Sequence, residues 1–278
     1  MVSPLSLAAM AVVIVVCVGA PLGAFAWVAT RRDAEGRRRW PGVWRAFWAG
    51  ALAFVVSQLL TRIPLMTLVV PTLRADVSGF LLSGPVASYS AGLFEETGRL
   101  VMMLLLLKVF HRWIDGVTFG LGHGGIEAIA LTGLTMVSNL VLALSINLGQ
   151  WQAIAATLPA DAAAQVFDAL TATSPSMFLL AGVERLSAIS LHVACSVLVL
   201  AGIVHGRKAL AWLAAVLLHG TVNLLAVLGM TAGWPMLLIE VLLAVIAVAL
   251  WFGVARVRPW FTQPDAPTPV PPPLPSAA

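Results

Sequence analysis

The chain has 278 residues, of which 60% are hydrophobic and only 10% are charged. A soluble domain carries about 25% charged residues, so this composition excludes a water-soluble globule and indicates a lipid bilayer as the surrounding solvent. The net charge of +4 comes from basic residues clustered in loops, and it gives no reason to expect a nucleic-acid partner. Cys17 and Cys195 lie inside apolar runs, which argues against a disulfide framework.

Seven apolar stretches are long enough to cross about 30 Å of hydrocarbon. The sequence therefore predicts an all-α transmembrane helix bundle over residues 1–258. The predicted spans are Leu5–Val28, Phe47–Val70, Val86–Phe110, Val117–Leu148, Met177–Val204, Ala209–Gly229 and Pro235–Val257. The first is interpreted as a span rather than a signal peptide, because it is long and its basic residues follow it. Residues 259–278 are rich in proline and are predicted to form a disordered cytoplasmic tail.

The basic residues of the loops predict the orientation of the bundle. If the connections alternate between two sides, one side collects all the loop arginines and lysines except Arg74. By the positive-inside rule, the N-terminus is then outside and the C-terminus is cytoplasmic. With these basic inner loops and no transit peptide, we expect a multi-pass protein of a bacterial plasma membrane.

Several ionisable and amide side chains lie inside the predicted spans. They are Glu95, Glu96 and Arg99 in the third span, His123 and Glu127 in the fourth, Glu184, Arg185 and His192 in the fifth, and His219 with Asn223 in the sixth. Each charge at mid-membrane costs roughly 2.5–3.5 kcal/mol, so these groups must face one another or water. At about 1.5 Å of rise per residue they lie at similar depth. We therefore predict one polar site within residues 94–229, and we assign no chemistry to Arg62 and Glu240.

The spacing of these residues within each helix supports a shared site. Three pairs are four residues apart, so the members of each pair lie on one helix face: Glu95 with Arg99, His123 with Glu127, and His219 with Asn223. Small residues let neighbouring membrane helices approach closely. Four glycines surround His123 and predict such an approach: Gly120, Gly122, Gly124 and Gly125.

These side chains form the parts of a hydrolase that activates water without a serine or cysteine nucleophile. A buried carboxylate beside Arg99 stays ionised and can act as a base, while histidine and asparagine can donate hydrogen bonds to an oxyanion. Alternatively, Glu96 or Glu95 with His123 and His219 could hold a zinc ion, although the HExxH signature is absent. A structural ion pair between Glu96 and Arg99, a proton-coupled transporter and a membrane scaffold are the other interpretations.

Three short motifs resemble those of the CAAX-processing and bacteriocin-processing intramembrane proteases. They are "EETGR", "FGLGH" and "HGTVN". The spacing of the first motif is that of the related PrsW-like proteases. Taken with "GVERLSAISLHVACSVLVL", the motifs are most similar to the YhfC-type membrane peptidases over residues 94–229. The resemblance implies an intramembrane protease, and we expect it to act on a membrane-anchored or lipidated peptide.

The resemblance also implies roles for individual residues. The catalytic set would be Glu95, Glu96, Arg99, His123, His219 and Asn223. A motif glutamate would activate water, Arg99 would hold a carboxylate, and the histidines and Asn223 would stabilise the oxyanion. An outer shell would consist of Glu127, Glu184, Arg185 and His192. A zinc-dependent variant would use Glu96, His123 and His219.

Overall fold

The computed structural model describes residues 1–106 and 111–261. Within them, the regular structure is helical apart from one isolated bridge between Arg32 and Arg38. The α-helices are α1 (Pro4–Thr30), α2 (Val43–Phe54), α3 (Ala75–Leu81), α4 (Gly84–Leu106), α5 (Trp113–Glu127), α6 (Leu134–Asn147), α7 (Trp151–Ala155), α8 (Ala160–Ala172), α9 (Pro175–Val204), α10 (Lys208–Thr231) and α11 (Met236–Arg256).

Among residues 1–106 and 111–261, six to seven helical segments have the length and hydropathy of a membrane span. Six are continuous: Pro4–Thr30, Val43–Thr72, Trp113–Asn147, Pro175–Val204, Lys208–Thr231 and Met236–Trp260. The seventh is the pair α3 and α4, which is bent by 63°. The predicted all-α transmembrane bundle of about seven spans is therefore confirmed. The orientation of its termini stays a prediction.

Two of the spans contain π-helical turns. The helix begun by α2 continues as π-helix over Val55–Arg62 and Leu65–Val69 and then as a 3₁₀ turn over Val70–Thr72. The long fourth span passes from α5 into α6 through the π-helix Ala128–Gly133. Insertions of this kind shift the register of a helix and are frequent at functional sites.

Only the first three residues of the predicted cytoplasmic tail, 259–261, fall within the described residues. Arg258–Trp260 form a 3₁₀ turn, and Phe261 is buried. Residues 262–278, and the last four residues of the predicted third span, lie outside the described part of the chain.

Glycine allows the helices around the site to touch through their backbones. A Cβ atom on Gly122 of α5 would lie 1.9 Å from the carbonyl oxygen of Phe47 in α2. On the opposite side of α5, a Cβ on Gly120 would lie 2.4 Å from Cα of Val193 in α9. The helix is thus held between α2 and α9 at distances that exclude any side chain, as the glycines around His123 predicted.

We expect Gly122→Ala to destabilise the protein by about 1–3 kcal/mol or more, because α2 must move away from α5 to admit the methyl group. Gly253→Ala is the matched control, since a Cβ there meets nothing within 4 Å and alanine favours a helix. Thermal unfolding of the two variants in the same detergent measures the difference. Equal melting temperatures would contradict the close packing of α2 on α5.

Candidate metal and catalytic site

Four helices bring their ionisable side chains together in the interior of the bundle. α4 contributes two glutamates and an arginine, and α5, α9 and α10 contribute one histidine each. All six side chains are buried: Glu95, Glu96, Arg99, His123, His192 and His219. Charged groups this far from water are stable only when each is paired, so the contacts among them decide what the site can do.

Glu95 lies at the centre of the three histidines. Its Oε2 is 3.0 Å from Nε2 of His123 and 3.8 Å from Nδ1 of His192. Its Oε1 is 3.9 Å from Nε2 of His219. The ring of His192 lies between the other two, with ring centroids 4.6 Å from His123 and 5.2 Å from His219. One carboxylate therefore faces three imidazole nitrogens within a space of a few ångströms.

Glu96 is held in a different way, by Arg99 one turn along the same helix. Arg99 Nε lies 2.7 Å from Glu96 Oε2, and its Nη2 donates to Oε1 at 3.1 Å. Nδ1 of His219 lies 2.9 Å from Oε1. Both oxygens of Glu96 are thus occupied. An ionised carboxylate accepts the Nδ1 proton of His219, which leaves Nε2 of that ring directed at Glu95.

Arg99 also connects α4 to α9. Its Nη1 donates to Ser196 Oγ and, at 3.2 Å, to the carbonyl oxygen of His192. Its Nη2 lies 3.0 Å from Nδ1 of His192. Because a guanidinium has only donors, Nδ1 of His192 must accept, and the ring carries its proton on Nε2. Arg99 is therefore a fully buried anchor that fixes Glu96 and the tautomer of His192.

A chain of charged residues lies behind His192. Its Nε2 contacts Oε2 of Glu127, whose Oε1 is 3.0 Å from Nη1 of Arg185. Arg185 in turn pairs with Glu184. A carboxylate that accepts the outer N–H of a histidine orients the ring and raises the basicity of its inner nitrogen. Glu127, Arg185 and Glu184 thus lie outside the histidines, whereas His192, assigned to the outer shell from sequence, lies in the centre.

Gln58 is a member of the site that was not among the residues predicted from the sequence. Its Nε2 donates to Glu95 Oε1, and the residue is 4% exposed. Arg62, four residues later, lies 3.4 Å from Gln58 Oε1 through Nη1 and donates to the carbonyl oxygen of Ala87 at 2.7 Å. Both residues belong to the π-helix Val55–Arg62. The signal for Gln58 in the sequence was its position four residues before Arg62 within an apolar span.

Within the described part of the chain, no hydrogen bond joins Asn223 to the histidine cluster. It is on α10, four residues after His219, and it lines a cavity between α9, α10 and α11 together with Glu184. The structure therefore brings together every residue of the predicted catalytic set except Asn223.

The histidines and glutamates offer ligands for a metal ion. In the described part of the chain, two overlapping sets have ligand atoms within 4.8 Å of one another: Glu95, His123 and His192, and Glu96, His192 and His219. Imidazole nitrogen and carboxylate oxygen are ligands that zinc prefers. Among the described residues, the buried Nδ1 of His123 has no hydrogen-bond partner. These donors fit a zinc ion. The predicted ligands are divided between the two sets, with His123 in the first and Glu96 and His219 in the second, and His192 belongs to both.

The comparison with known proteins agrees with the sequence resemblance. The family model described as "YhfC intramembrane metalloprotease" matches residues 29–247. The chain belongs to the YhfC family. Its similarity to the "Uncharacterized membrane protein YhfC" of Bacillus subtilis (strain 168) is 35% identity over 212 residues, which cover 75% of this chain and 79% of the relative. No solved structure matches.

The assignment to the YhfC family confirms the family predicted from the motifs. The matched segment contains all the histidines and glutamates of the cluster. The spans of this YhfC family member and the name of its relative place it in a cell membrane. Its relation to the CAAX-processing and PrsW-like proteases stays a prediction.

Proposed function

We propose that this YhfC protein is a zinc-dependent intramembrane protease in which Glu95 is the general base. The observation that supports the proposal is the difference between the two adjacent glutamates. Glu96 forms an ion pair with Arg99, whereas Glu95 contacts imidazoles and the amide of Gln58 and, among the described residues, no arginine. A base must be able to accept a proton from water, and Glu95 is the carboxylate whose contacts leave it able to do so.

In this proposal His123, His192 and His219 would hold the metal, and Nδ1 of His192 would bind it in place of its contact with Nη2 of Arg99. A zinc ion bound there would supply a Lewis acid for the peptide carbonyl and make a nearby water more acidic. Glu96 and Glu127 keep His219 and His192 in the tautomers that point a lone pair inward. Arg99 neutralises Glu96 and so keeps the number of buried negative charges low.

The chain's own contribution to the reaction is proton transfer. Glu95 takes a proton from the attacking water as the water oxygen bonds to the carbonyl carbon. The same carboxyl group then gives the proton to the leaving nitrogen as the C–N bond breaks. Both transfers need Glu95 to keep one orientation, which its contacts with His123 and Gln58 enforce.

The substrate class follows from the position of the site. The reacting groups are buried within membrane-spanning helices, so a peptide bond that reaches them is itself in or next to the bilayer. We propose a membrane-anchored or lipidated peptide as the substrate.

The test of this function is hydrolysis by the purified, zinc-loaded protein in proteoliposomes. The probes are membrane-anchored peptides from a randomised library, and the reaction is run in water enriched in ¹⁸O. A protease releases fragments with ¹⁸O in the new carboxylate. Binding of the peptides without cleavage, or pH-driven solute flux without cleavage, would favour a scaffold or a transporter instead.

Gln58 is proposed as a positioning residue for Glu95, and Gln58→Met tests this. Methionine has a similar length but no donor, so Glu95 loses a hydrogen bond and its fixed orientation. We expect kcat to fall by about 10-fold or more with KM nearly unchanged. Thr61→Val, at an exposed position of the same π-helix, is the control. A rise in KM at constant kcat would assign Gln58 to substrate binding instead.

A further inference from the structure

A second polar region lies in the bundle beside the histidine site. It is a cavity of about 50 Å³ between α9, α10 and α11. Most of its wall is apolar, but Glu184, Ser187 and Asn223 contribute a carboxylate, a hydroxyl and an amide. A water molecule needs roughly 10–15 Å³ and two to four polar partners, so the cavity has the size and the partners to hold several.

Glu184 of the cavity wall and the two charged residues linked to it, Arg185 and Glu127, are only partly buried. The side chain of Glu184 is 30% exposed, and those of Arg185 and Glu127 are each 13% exposed. Glu184 lies about 14 Å along α9 from its first residue, which is well inside a span. Charged surface facing lipid at that depth costs roughly 2.5–3.5 kcal/mol per group. The exposed part of this chain must therefore face water.

Glu240 provides an independent observation on α11. It is 5% exposed, and within the described residues its Oε2 has no hydrogen-bond partner. It precedes Leu243 and Ala247 of the cavity wall by three and seven residues, so all three lie on one helix face. A buried carboxylate oxygen in a native structure is almost always hydrogen-bonded, so Glu240 requires a polar partner on this face.

Two residues of the cavity wall are close in sequence to histidines of the site. Leu191 of the wall precedes His192, and Asn223 of the wall lies one turn from His219. The site itself is buried, yet hydrolysis consumes one water in each cycle.

We propose that this cavity is filled with water and is the route by which solvent reaches the histidine site. Asn223 and Glu184 are then ligands of water rather than groups that touch the substrate. The presence of water in the cavity is inferred only from the geometry of the cavity and its polar residues. Its role as a supply route rests on the proposed function.

Thiol labelling tests whether the cavity is wet. Ser187→Cys and Ala226→Cys place thiols in its wall, and Val248→Cys is the control. Ser187 and Val248 each lie about 18 Å from the start of their helices, but Val248 is 57% exposed on the outer surface of α11. The native Cys17 and Cys195 are both 0% exposed and give the background. We expect a small charged methanethiosulfonate to label the wall thiols at least about tenfold faster, because only a thiolate in water reacts.

Radiolysis of the unmodified protein in nanodiscs gives a second measurement that needs no variant. Hydroxyl radicals form from water in place, so Leu243 of the cavity wall should be oxidised faster than the fully buried Leu200. If the cysteine variants fail to fold, the oxidation rates of Leu243 and Leu200 by themselves test whether the cavity contains water. Wall thiols that react no faster than Val248→Cys, together with equal oxidation of the two leucines, would overturn the proposal. A dry cavity would leave the protease proposal intact, and an absence of cleavage would leave a wet cavity intact.

Discussion

Replacing Glu95 with glutamine should lower kcat for peptide hydrolysis by about 10²- to 10⁴-fold while the melting temperature changes little. Glutamine keeps the size of the side chain and an oxygen that can accept from Gln58, but it cannot take a proton from water. The measurement is initial cleavage rate in proteoliposomes together with thermal unfolding in the same lipid. A Glu95→Gln protein that cleaves at the wild-type rate would contradict the assignment of the base.

The adjacent Glu96→Gln variant is the matched control, because the chemical change is the same at the next residue. It removes the partner of a fully buried Arg99, and an uncompensated buried charge costs about 3–5 kcal/mol. We therefore expect Glu96→Gln to lower the melting temperature strongly, whereas Glu95→Gln does not. A melting temperature that falls strongly for Glu95→Gln but not for Glu96→Gln would instead make Glu95 the structural partner of Arg99 and Glu96 the candidate base.

Removal of zinc should abolish hydrolysis, and His192→Ala should lose most of the bound metal. His192 belongs to both candidate ligand sets, so its loss leaves neither set complete. Zinc that binds only the folded state stabilises it by about 3 kcal/mol at a hundredfold excess over Kd, so chelation should also lower the melting temperature. The measurements are zinc content per purified chain, thermal unfolding and cleavage before and after zinc is restored.

His111→Ala is the control for the metal experiment, because His111 lies before α5 and outside both ligand sets. It should keep the zinc content and the activity of the wild type. Full activity after exhaustive chelation would exclude the metal and favour the glutamic-type mechanism. Unchanged zinc in His192→Ala would show that the ion binds elsewhere.

Much of the fold could be predicted from the sequence because the bilayer is such a restrictive solvent. Apolar stretches of span length leave the backbone no alternative to helix, and the structure confirms six to seven of them. The same restriction identified the polar residues of the site. A glutamate or histidine costs free energy in every span in which it occurs, so residues such as Glu95 and His192 are conspicuous against leucine and valine.

The roles of those residues depended on packing. Glu95 and Glu96 are neighbours in the chain, but successive residues of a helix point about 100° apart, so they face different partners. Spacing places Arg99 within reach of either one. Only the position of α9 and α10 around α4 directs Arg99 to Glu96 and leaves Glu95 among the imidazoles. Sequence reasoning therefore had to leave the choice of base open.

The dependence on packing also explains why the sequence placed His192 in the outer shell and Asn223 in the catalytic set, and why it did not reveal Gln58. His192 and Asn223 each lie on a polar face of their own helix, but the rotation of that helix against its neighbours decides what the face meets. Close contacts at Gly120 and Gly122 fix the rotation of α5 against α9 and α2. Gln58 reaches Glu95 from a π-helical turn, whose register differs from that of an α-helix.

The amino-acid sequence by itself thus determined that this protein is a helical membrane bundle, that it belongs with the YhfC proteins, and which side chains must avoid lipid. Those properties follow from local composition and from the cost of charge in hydrocarbon. The tertiary structure alone decided which carboxylate is bound by arginine, which histidine lies in the middle, and where water has room. Those properties depend on contacts between helices that are distant in the chain, and the periodicity of one helix carries no information about its partner.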